Sequence, residues 1–291
     1  MTATTAVRLE VTPVSGRIGA ELSGLCLGGE LDPANVAALR SALLQYKVLF
    51  IREQHHLDDT AHQAFARMLG TPVGHPTLPG DGGEFLLELD SHRGGKANSW
   101  HTDVTFVPDY PAISILRAIT VPPAGGDTVW ANCAAAYERL PASLKALAQS
   151  LWAVHSNDYD YAANQDHDDP ALDAYQATFA STVVEAQHPL VRIHPETGEP
   201  ALVLGSFFKR FVGHSQEEGR RLYDLFQSHI TRLENTVRWR WRAGDVAVWD
   251  NRATQHYAID DYDGAHRVMR RVTLAGETAY ASDGRQSHIA T

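Results

Sequence analysis

The sequence predicts a mostly β domain, a β-sandwich or barrel with helices packed on the outside. Strand-like apolar segments recur along the chain and are separated by Gly or Pro clusters, the spacing of an antiparallel β core. Capped amphipathic helices flank these segments, and neither a repeat nor a linker divides the 291 residues. With 44% hydrophobic residues the chain can bury a large core. We therefore expect one domain over residues 1–291.

The N-terminal third should alternate short strands with helices. Asp32 can cap the first helix, because its carboxylate can accept from the free N–H groups of the first turn, and Pro33 fits the next position. Gly70 is a natural stop for the second helix. The expected elements are strands within Arg8–Leu27, a helix from Pro33 to about Tyr46, a strand at Val48–Ile51 and a helix from about Asp58 to Leu69.

The rest of the chain should contain further strands, one helix and one insertion. Ser215 and Glu218 predict a capping box for a helix that runs to about Arg232. Between Asn157 and Gln187 the sequence is rich in Asp, Ala, Asn and Tyr with weak periodicity, so we expect a mobile lid at about 157–187. The expected strands are Glu84–Leu89, Trp100–Phe106, Ala112–Ile119, Thr128–Trp130, Thr236–Trp241, Asp245–Trp249 and Arg267–Leu274.

Charge, cysteine content and hydropathy exclude several classes of function. The net charge is −10 and the basic residues are scattered, so a nucleic acid is not an expected partner. The basic run Val237–Arg242 alternates Trp with Arg, as a strand with one buried face does. Cys26 and Cys133 lie far apart in small or apolar settings and should be buried thiols in a reducing compartment. The sequence has no secretory signal and no run of about 18 apolar residues, which predicts a cytoplasmic protein without a membrane partner.

The tripeptide His101-Thr102-Asp103 is the first candidate metal-binding motif. Residues two apart on a strand point to the same side, so an imidazole and a carboxylate can reach one ion. Two histidines and a carboxylate on one face of iron(II) leave open positions for a cosubstrate and O2. The same pattern occurs at His56–Asp58 and His167–Asp169, but Asp58 can serve as a helix cap and His167 lies in the polar insertion.

The C-terminal region offers a third ligand and a pair of anion-binding groups. His256 follows the apolar strand that ends near Trp249, and two-residue periodicity places Arg267 and Arg271 on one face of the last strand. Two inward guanidinium groups indicate two anionic groups to be bound. Arg270 points to the other side and is better explained by surface salt bridges.

Several motifs together resemble the taurine dioxygenase family of iron(II)/2-oxoglutarate oxygenases, most closely its alkylsulfatase branch. The resemblance covers nearly the whole chain and implies a double-stranded β-helix, the cupin-like jelly roll. The motifs that carry it are Trp100-His101-Thr102-Asp103-Val104-Thr105-Phe106, Gly125-Gly126-Asp127-Thr128, the stretch Trp249–Tyr262, and His266-Arg267-Val268-Met269-Arg270-Arg271-Val272-Thr273.

The resemblance also implies three cofactors and cosubstrates, namely Fe(II), 2-oxoglutarate and O2, and a role for each matching residue. The expected ligands are His101, Asp103 and His256 for iron, Thr128 and Arg267 for 2-oxoglutarate, and His75, Arg271 and the backbone N–H of Val104 for the sulfonate or sulfate of the substrate.

Two departures from the taurine enzymes bear on the substrate. Ala97 and Leu78 replace the Asn and Tyr expected beside the amine of taurine, and Gly94–Asn98 and His55–Asp59 resemble the alkylsulfatase branch. We therefore expect hydroxylation of the carbon next to the ester oxygen of an alkyl sulfate, with release of an aldehyde and sulfate. The presence of Asp103 disfavours halogenation, because related halogenases lack this carboxylate.

Other functions remain open at this point. A taurine or alkylsulfonate dioxygenase would release sulfite, and a biosynthetic hydroxylase would act on another small anion. A cupin-like binding protein would keep the fold without the chemistry, and a zinc hydrolase could use the same three ligands. Members of the family commonly form dimers or tetramers, so we expect a homo-oligomer. The sequence assigns no role to His214.

Overall fold

A computed structural model describes residues 9–77, 85–93, 97–159 and 182–290 of the chain. Most of the predicted lid therefore lies outside the described residues, as do Leu78, residues 94–96 and His167. Within the described ranges, no helix is long and apolar enough to cross a membrane.

The helices begin where the sequence places caps. The side chain of Asp32 accepts from Ala34 N at 2.8 Å, and that of Asp58 accepts from Ala61 N at 2.7 Å. The Ser215–Glu218 capping box is present. These contacts confirm the three predicted helices, and two short ones were missed. The helices are α1 Pro33–Tyr46, α2 Asp59–Leu69, α3 Cys133–Glu138, α4 Ala142–Ser150 and α5 Gln216–Ile230.

Most of the described chain outside the helices is β structure, as predicted. The strands are β1 Glu10–Pro13, β2 Ala20–Ser23, β3 Val48–Ile51, β4 Pro72–Val73, β5 Leu86–Asp90, β6 Ile113–Thr120, β7 Thr128–Asn132, β8 Trp152–Ser156, β9 Glu185–Pro189, β10 Val191–Ile193, β11 Pro200–Leu202, β12 Phe208–Phe211, β13 Thr236–Trp239, β14 Val246–Asp250, β15 Thr254–Ala258, β16 Val268–Leu274 and β17 His288–Ile289.

The strands form one large sheet and three smaller ones. The large sheet has eight strands in the order β1-β2-β3-β14-β6-β16-β4, and β5 also pairs with β16. A three-stranded sheet has the order β13-β7-β15, a four-stranded sheet the order β12-β8-β9-β17, and β10 pairs with β11. The central pairs of the large sheet are antiparallel, as the spacing of turns predicted.

An aromatic core joins the large sheet to the three-stranded sheet. Phe50 stacks on Trp239 at 4.0 Å between ring centroids and packs against the edge of Trp130, which in turn contacts Trp249. All four side chains are buried. The predicted alternation in Val237–Arg242 is confirmed, because Trp239 and Trp241 face this core while the arginines between them are exposed.

Strand register carries the functional residues to this core from both sheets. In the large sheet Trp249 pairs with Ser114, and Arg271 pairs with Leu116. In the three-stranded sheet His256 pairs with Trp130. The candidate site therefore lies between two sheets whose positions the aromatic core fixes.

Candidate active site

The two histidines of the proposed triad meet across an isolated β-bridge. His101 N donates to His256 O at 3.0 Å, and His256 N donates to His101 O at 2.7 Å. Their ring centroids are 4.1 Å apart. One ligand atom each from His101, Asp103 and His256 lies within 4.8 Å of the others, and all three residues are buried. The residues predicted from distant parts of the sequence thus converge on one point.

The prediction of a strand at Trp100–Phe106 was wrong. Only His101 makes a β-bridge, and the chain turns from Asp103 onward. Val104 adopts φ 59°, a left-handed conformation that is costly for a β-branched residue. Asp103 therefore reaches the histidines through a tight turn, and the two-residue periodicity of a strand does not explain its position.

Hydrogen bonds fix both oxygens of the Asp103 carboxylate. Ser114 Oγ donates to Oδ2 at 2.7 Å, and Arg271 Nη1 donates to Oδ1 at 2.5 Å. Asn251 Nδ2 donates to Ser114 Oγ at 2.7 Å, and Trp249 Nε1 donates to Asn251 Oδ1 at 2.9 Å. This chain from Trp249 to Asp103 holds Oδ2, so that Oδ1 is the oxygen that faces His256 Nε2, at 3.9 Å.

The electrostatics of the site favour the protonation states of metal ligands. Burial lowers the pKa of His101 and lowers that of His256 further, so both imidazoles are neutral at pH 7. Burial alone would raise the pKa of Asp103, but the positive charge of Arg271 and the hydrogen bond from Ser114 outweigh it and lower the pKa, so the carboxylate is ionised. Neutral imidazole and ionised carboxylate are the forms that bind a metal.

Hydrogen bonding also selects the histidine tautomers. His101 Nδ1 lies 2.7 Å from Ser99 O, and a carbonyl can only accept, so Nδ1 carries the proton and Nε2 carries the lone pair. The Nδ1 of His256 is buried without a hydrogen-bond partner in the described part of the chain. The three ligand atoms, two imidazole nitrogens and one carboxylate oxygen, therefore suit a divalent transition metal.

A second positive group, Arg267, borders the cavity that His101 and His256 line. Its Nε donates to Gly126 O at 3.1 Å, and its Nη2 lies 3.5 Å from Thr128 Oγ1. A Cβ on Gly126 would come within 3.2 Å of the Arg267 side chain, so a glycine is required for this approach. Burial lowers the pKa of Arg267, yet a guanidinium stays charged, which makes it a strong site for an anion.

The three predicted substrate-binding residues lie around the Asp103 turn. Arg271 is only 9% exposed and contacts Asp103 directly. The ring of His75 lies 6.4 Å from that of Phe106, and burial together with the charge of Arg271 lowers the pKa of His75 to about 3. Val104 packs with Phe106 and Phe207 in a small apolar cluster that includes Leu87, Val107 and Val184 at its edge.

Four other residues that the sequence singled out make contacts outside the candidate metal site. Asp58 caps α2, while His56 bonds to Cys26 and the carbonyl of Leu27, so this His-x-Asp pair is structural. Cys26 is exposed, so the prediction of a buried thiol was wrong there and is confirmed for Cys133. Arg270 pairs with Asp59 and Glu88 and faces away from the site, as predicted. His214 is exposed and contacts the carbonyl of Val212.

Sequence reasoning missed the two residues that hold Asp103 in place. Ser114 lies among the apolar residues of Ala112–Leu116 and is fully buried, and Asn251 is 2% exposed. A serine in the middle of a continuous apolar run was the available signal, because a buried hydroxyl needs a partner.

A β-sandwich that brings two neutral imidazoles and a carboxylate to one buried point is the architecture of mononuclear metal-dependent oxygenases. The sequence matches the taurine catabolism dioxygenase TauD, TfdA family over residues 10–273. The chain belongs to this family, which confirms the resemblance inferred from the motifs.

Similar proteins support the same assignment. The chain is 57% identical to an alpha-ketoglutarate-dependent sulfate ester dioxygenase of Pseudomonas putida, over 98% of this chain and 96% of that protein. It is 53% identical to an alkylsulfatase of Acinetobacter baylyi, over 95% and 88%. The crystal structure of a putative alpha-ketoglutarate-dependent taurine dioxygenase from Burkholderia xenovorans superposes with a TM-score of 0.83 at 38% identity and covers 98% of both chains. The jelly-roll prediction is confirmed.

Proposed function

We propose that this protein is an iron(II)/2-oxoglutarate-dependent dioxygenase that cleaves alkyl sulfate esters by oxidation. The observation that carries the proposal is the convergence of His101, Asp103 and His256 within 4.8 Å, beside a buried guanidinium. The names of the two relatives that are more than half identical to the chain support sulfate esters as the substrate class.

In this proposal His101, Asp103 and His256 hold the metal and Arg267 holds the cosubstrate. Bound iron supplies oxidation of a substrate C–H by O2, coupled to decarboxylation of 2-oxoglutarate to succinate and CO2. Arg267 binds the distal carboxylate of 2-oxoglutarate, and the hydroxyl of Thr128 assists it. Trp241 Nε1 donates to Thr128 Oγ1 at 2.9 Å and thereby sets the direction of the hydroxyl.

The sulfate group of the substrate binds to Arg271, His75 and the backbone N–H of Val104. An alkyl sulfate carries a single negative charge. Because His75 is neutral at pH 7, it adds a hydrogen bond without a second positive charge, and the one guanidinium matches the one sulfate charge. When the Arg271 side chain turns toward the sulfate, it releases its hydrogen bond to Asp103 Oδ1. That oxygen is then available to the metal.

The alkyl chain of the substrate lies along the apolar cluster of Val104, Phe106 and Phe207. Phe207 stands edge-on to His101 at 6.2 Å between centroids, so this apolar surface begins directly beside the metal ligands. A sulfate held at Arg271 and a chain along these rings direct the carbon next to the ester oxygen toward the metal. One oxygen atom enters that C–H bond, and the adduct breaks its C–O bond to release an aldehyde and sulfate.

The test is turnover of an alkyl sulfate by the purified protein supplied with iron(II), 2-oxoglutarate and air. Succinate and sulfate should form together, and taurine and an alkylsulfonate serve as competing substrates. Formation of sulfite from a sulfonate, with no sulfate from the ester, would assign the protein to the sulfonate oxygenases. Absence of succinate with every sulfur compound would contradict the proposal and leave a hydroxylase of another small anion or a binding protein.

Two arginines on one strand provide matched variants for this test. Arg271→Ala should raise the KM for the alkyl sulfate at least about tenfold, since a charge-assisted pair is worth more than roughly 1.5 kcal/mol. Arg270→Ala removes an equal charge on the opposite face of β16 and should leave that KM close to the wild-type value. Equal effects of both substitutions would contradict the assignment of Arg271 to the substrate.

A further inference from the structure

A second group of metal-ligating side chains lies outside the triad, near the rim of the cavity. Asp90, His92 and His266 each offer a ligand atom, and these atoms lie within 4.8 Å of one another. Asp90 also borders the cavity that contains His101 and His256. The proposed reaction uses none of these three side chains.

Antiparallel pairing brings the two histidines together. Strand β5 pairs with β16 so that Asp90 faces Val268. Continuing this register beyond the strand ends places His92 opposite His266. The two imidazole rings stack with their centroids 4.3 Å apart and an angle of 11° between their planes. The sheet therefore holds both exposed rings face to face, and rotation of one ring about its side-chain bonds would direct a nitrogen of each toward a shared ion.

The carboxylate of Asp90 is oriented toward this pair. Its Oδ1 accepts from the backbone N–H of His92 at 2.9 Å and lies 3.0 Å from His266 Nε2. Such a separation suits two ligands that are each about 2.0–2.2 Å from a Zn²⁺ ion. His92 Nε2 lies 3.2 Å from the backbone carbonyl of Gly264.

The exposure of the group suits exchange of an ion with solvent. The Asp90 side chain is 13% exposed and that of His266 is 44% exposed. One nearby cation opposes metal binding, because Arg93 Nε lies 3.7 Å from Asp90 Oδ2. The Arg93 side chain is 75% exposed and also pairs with Glu88 at 3.6 Å, so water weakens its attraction to the Asp90 carboxylate.

We infer that Asp90, His92 and His266 form a second metal site, for a divalent transition-metal ion such as Zn²⁺, with water completing its coordination. Two imidazoles and a carboxylate are ligands that Zn²⁺ accepts. The ion displaces the proton between Asp90 and His266 into solvent. It also joins the turn after β5 to the start of β16. There Ser91 N already donates to Arg267 O, and Arg267 N donates to Ser91 Oγ, both at 3.0 Å.

Counting bound Zn²⁺ per chain by equilibrium dialysis tests this second site. The wild-type protein should bind one ion more than His92→Ala, and His101→Ala should retain that ion. Loss of a ligand should weaken the site by at least the roughly 10- to 100-fold that loss of a ligand's supporting partner costs. His214→Ala, which removes an exposed histidine elsewhere, should bind as much Zn²⁺ as the wild type.

Arg93→Ala supplies a test in the opposite direction. Removal of this cation should tighten Zn²⁺ binding in a variant that also carries His101→Ala, and this gain should vanish when His92→Ala is added. Equal Zn²⁺ binding by the wild type and His92→Ala would overturn the second site. Failure of the triad to bind metal would instead appear as no difference between the wild type and His101→Ala, so the two proposals fail separately.

Discussion

Asp103 is held by partners on both of its oxygens. Ser114 occupies Oδ2, while Arg271 occupies Oδ1, the oxygen that faces His256. A metal therefore competes with Arg271 but has no need to displace Ser114. Ser114 in turn depends on Asn251, because the amide hydrogen bond directs the serine hydroxyl toward the carboxylate.

Ser114→Ala should weaken metal binding without removing a ligand. The carboxylate loses the hydrogen bond that fixes Oδ2, and loss of such a partner typically costs about 10- to 100-fold in metal affinity. Titration of the chelator-treated protein with Mn²⁺ or Co²⁺ measures the effect. Ser150→Ala, a substitution at an exposed position on α4, is the control, and an unchanged affinity in Ser114→Ala would contradict the positioning role.

At the scale of elements, the Asp103 turn is supported from behind by β9 and the segment before β17. His188 Nε2 lies 2.7 Å from Thr105 O and must donate to it, so Nδ1 accepts from Ser287 Oγ at 2.8 Å. Burial lowers the pKa of His188 to about 4, which keeps the ring neutral and preserves this arrangement at pH 7. The C-terminal segment thus contributes to the position of the turn.

Ser287→Ala should destabilise the protein through this histidine. The substitution leaves the buried Nδ1 of His188 without a donor, which costs about 1–3 kcal/mol. Urea unfolding measures the change in the free energy of unfolding. Ser228→Ala removes an exposed hydroxyl from α5 and should change that free energy by less than about 0.5 kcal/mol. Equal stability of Ser287→Ala and the wild type would show that the turn does not depend on this contact.

The cap of α2 distinguishes the His-x-Asp pair at positions 56 and 58 from the pair at His101 and Asp103. Asp58→Ala should lower the free energy of unfolding by about 1 kcal/mol, since the Ala61 N–H loses its acceptor. Metal affinity should be unchanged, because His56 and Asp58 are committed to contacts with the backbone. A fall in metal affinity would instead indicate that the pair at 56 and 58 binds the ion.

At the scale of the whole molecule, buried neutral histidines make stability depend on pH. His62 is fully buried, and burial lowers its pKa from 6.5 to about 3. The unfolded chain takes up a proton below pH 6.5 that the folded chain does not bind. Stability therefore falls as the pH decreases from 6.5 toward 3.

His62→Leu should remove part of this pH dependence. Between pH 7 and pH 5 the wild type should lose about 2 kcal/mol at this one site, since each unit of pKa shift corresponds to about 1.4 kcal/mol. The variant should not show this loss in urea unfolding of the chelator-treated protein. His214→Leu, at an exposed histidine, is the control. A parallel decline in His62→Leu and the wild type would contradict the buried neutral state.

Local sequence patterns predicted most of the fold. They predicted only some of the residues of the candidate site. Caps such as Asp32 and Asp58 act within a few residues, so the sequence alone placed three of the helices, while the two short helices were missed. The turn at Asp103 was predicted as a strand because tertiary contacts, chiefly those of Ser114 and Arg271, determine its conformation.

The sequence analysis missed some residues because they meet only through pairing of strands that are far apart in the chain. Ser114 meets Asn251 through contacts between β6 and the end of β14, and His92 meets His266 through the register of β5 and β16. The two residues of each pair are far apart in the sequence, so the local spacing of apolar residues cannot predict their contact. The triad was found because motifs in a fixed order, rather than periodicity, marked its members.

The aromatic core places two indole rings against the triad, Trp249 at 4.9 Å and Trp130 at 6.5 Å from the His256 ring. A paramagnetic ion held by that imidazole quenches the emission of nearby indoles. Intrinsic fluorescence of the unlabelled protein should therefore report occupancy of the triad directly, and should respond much less to an ion at the rim.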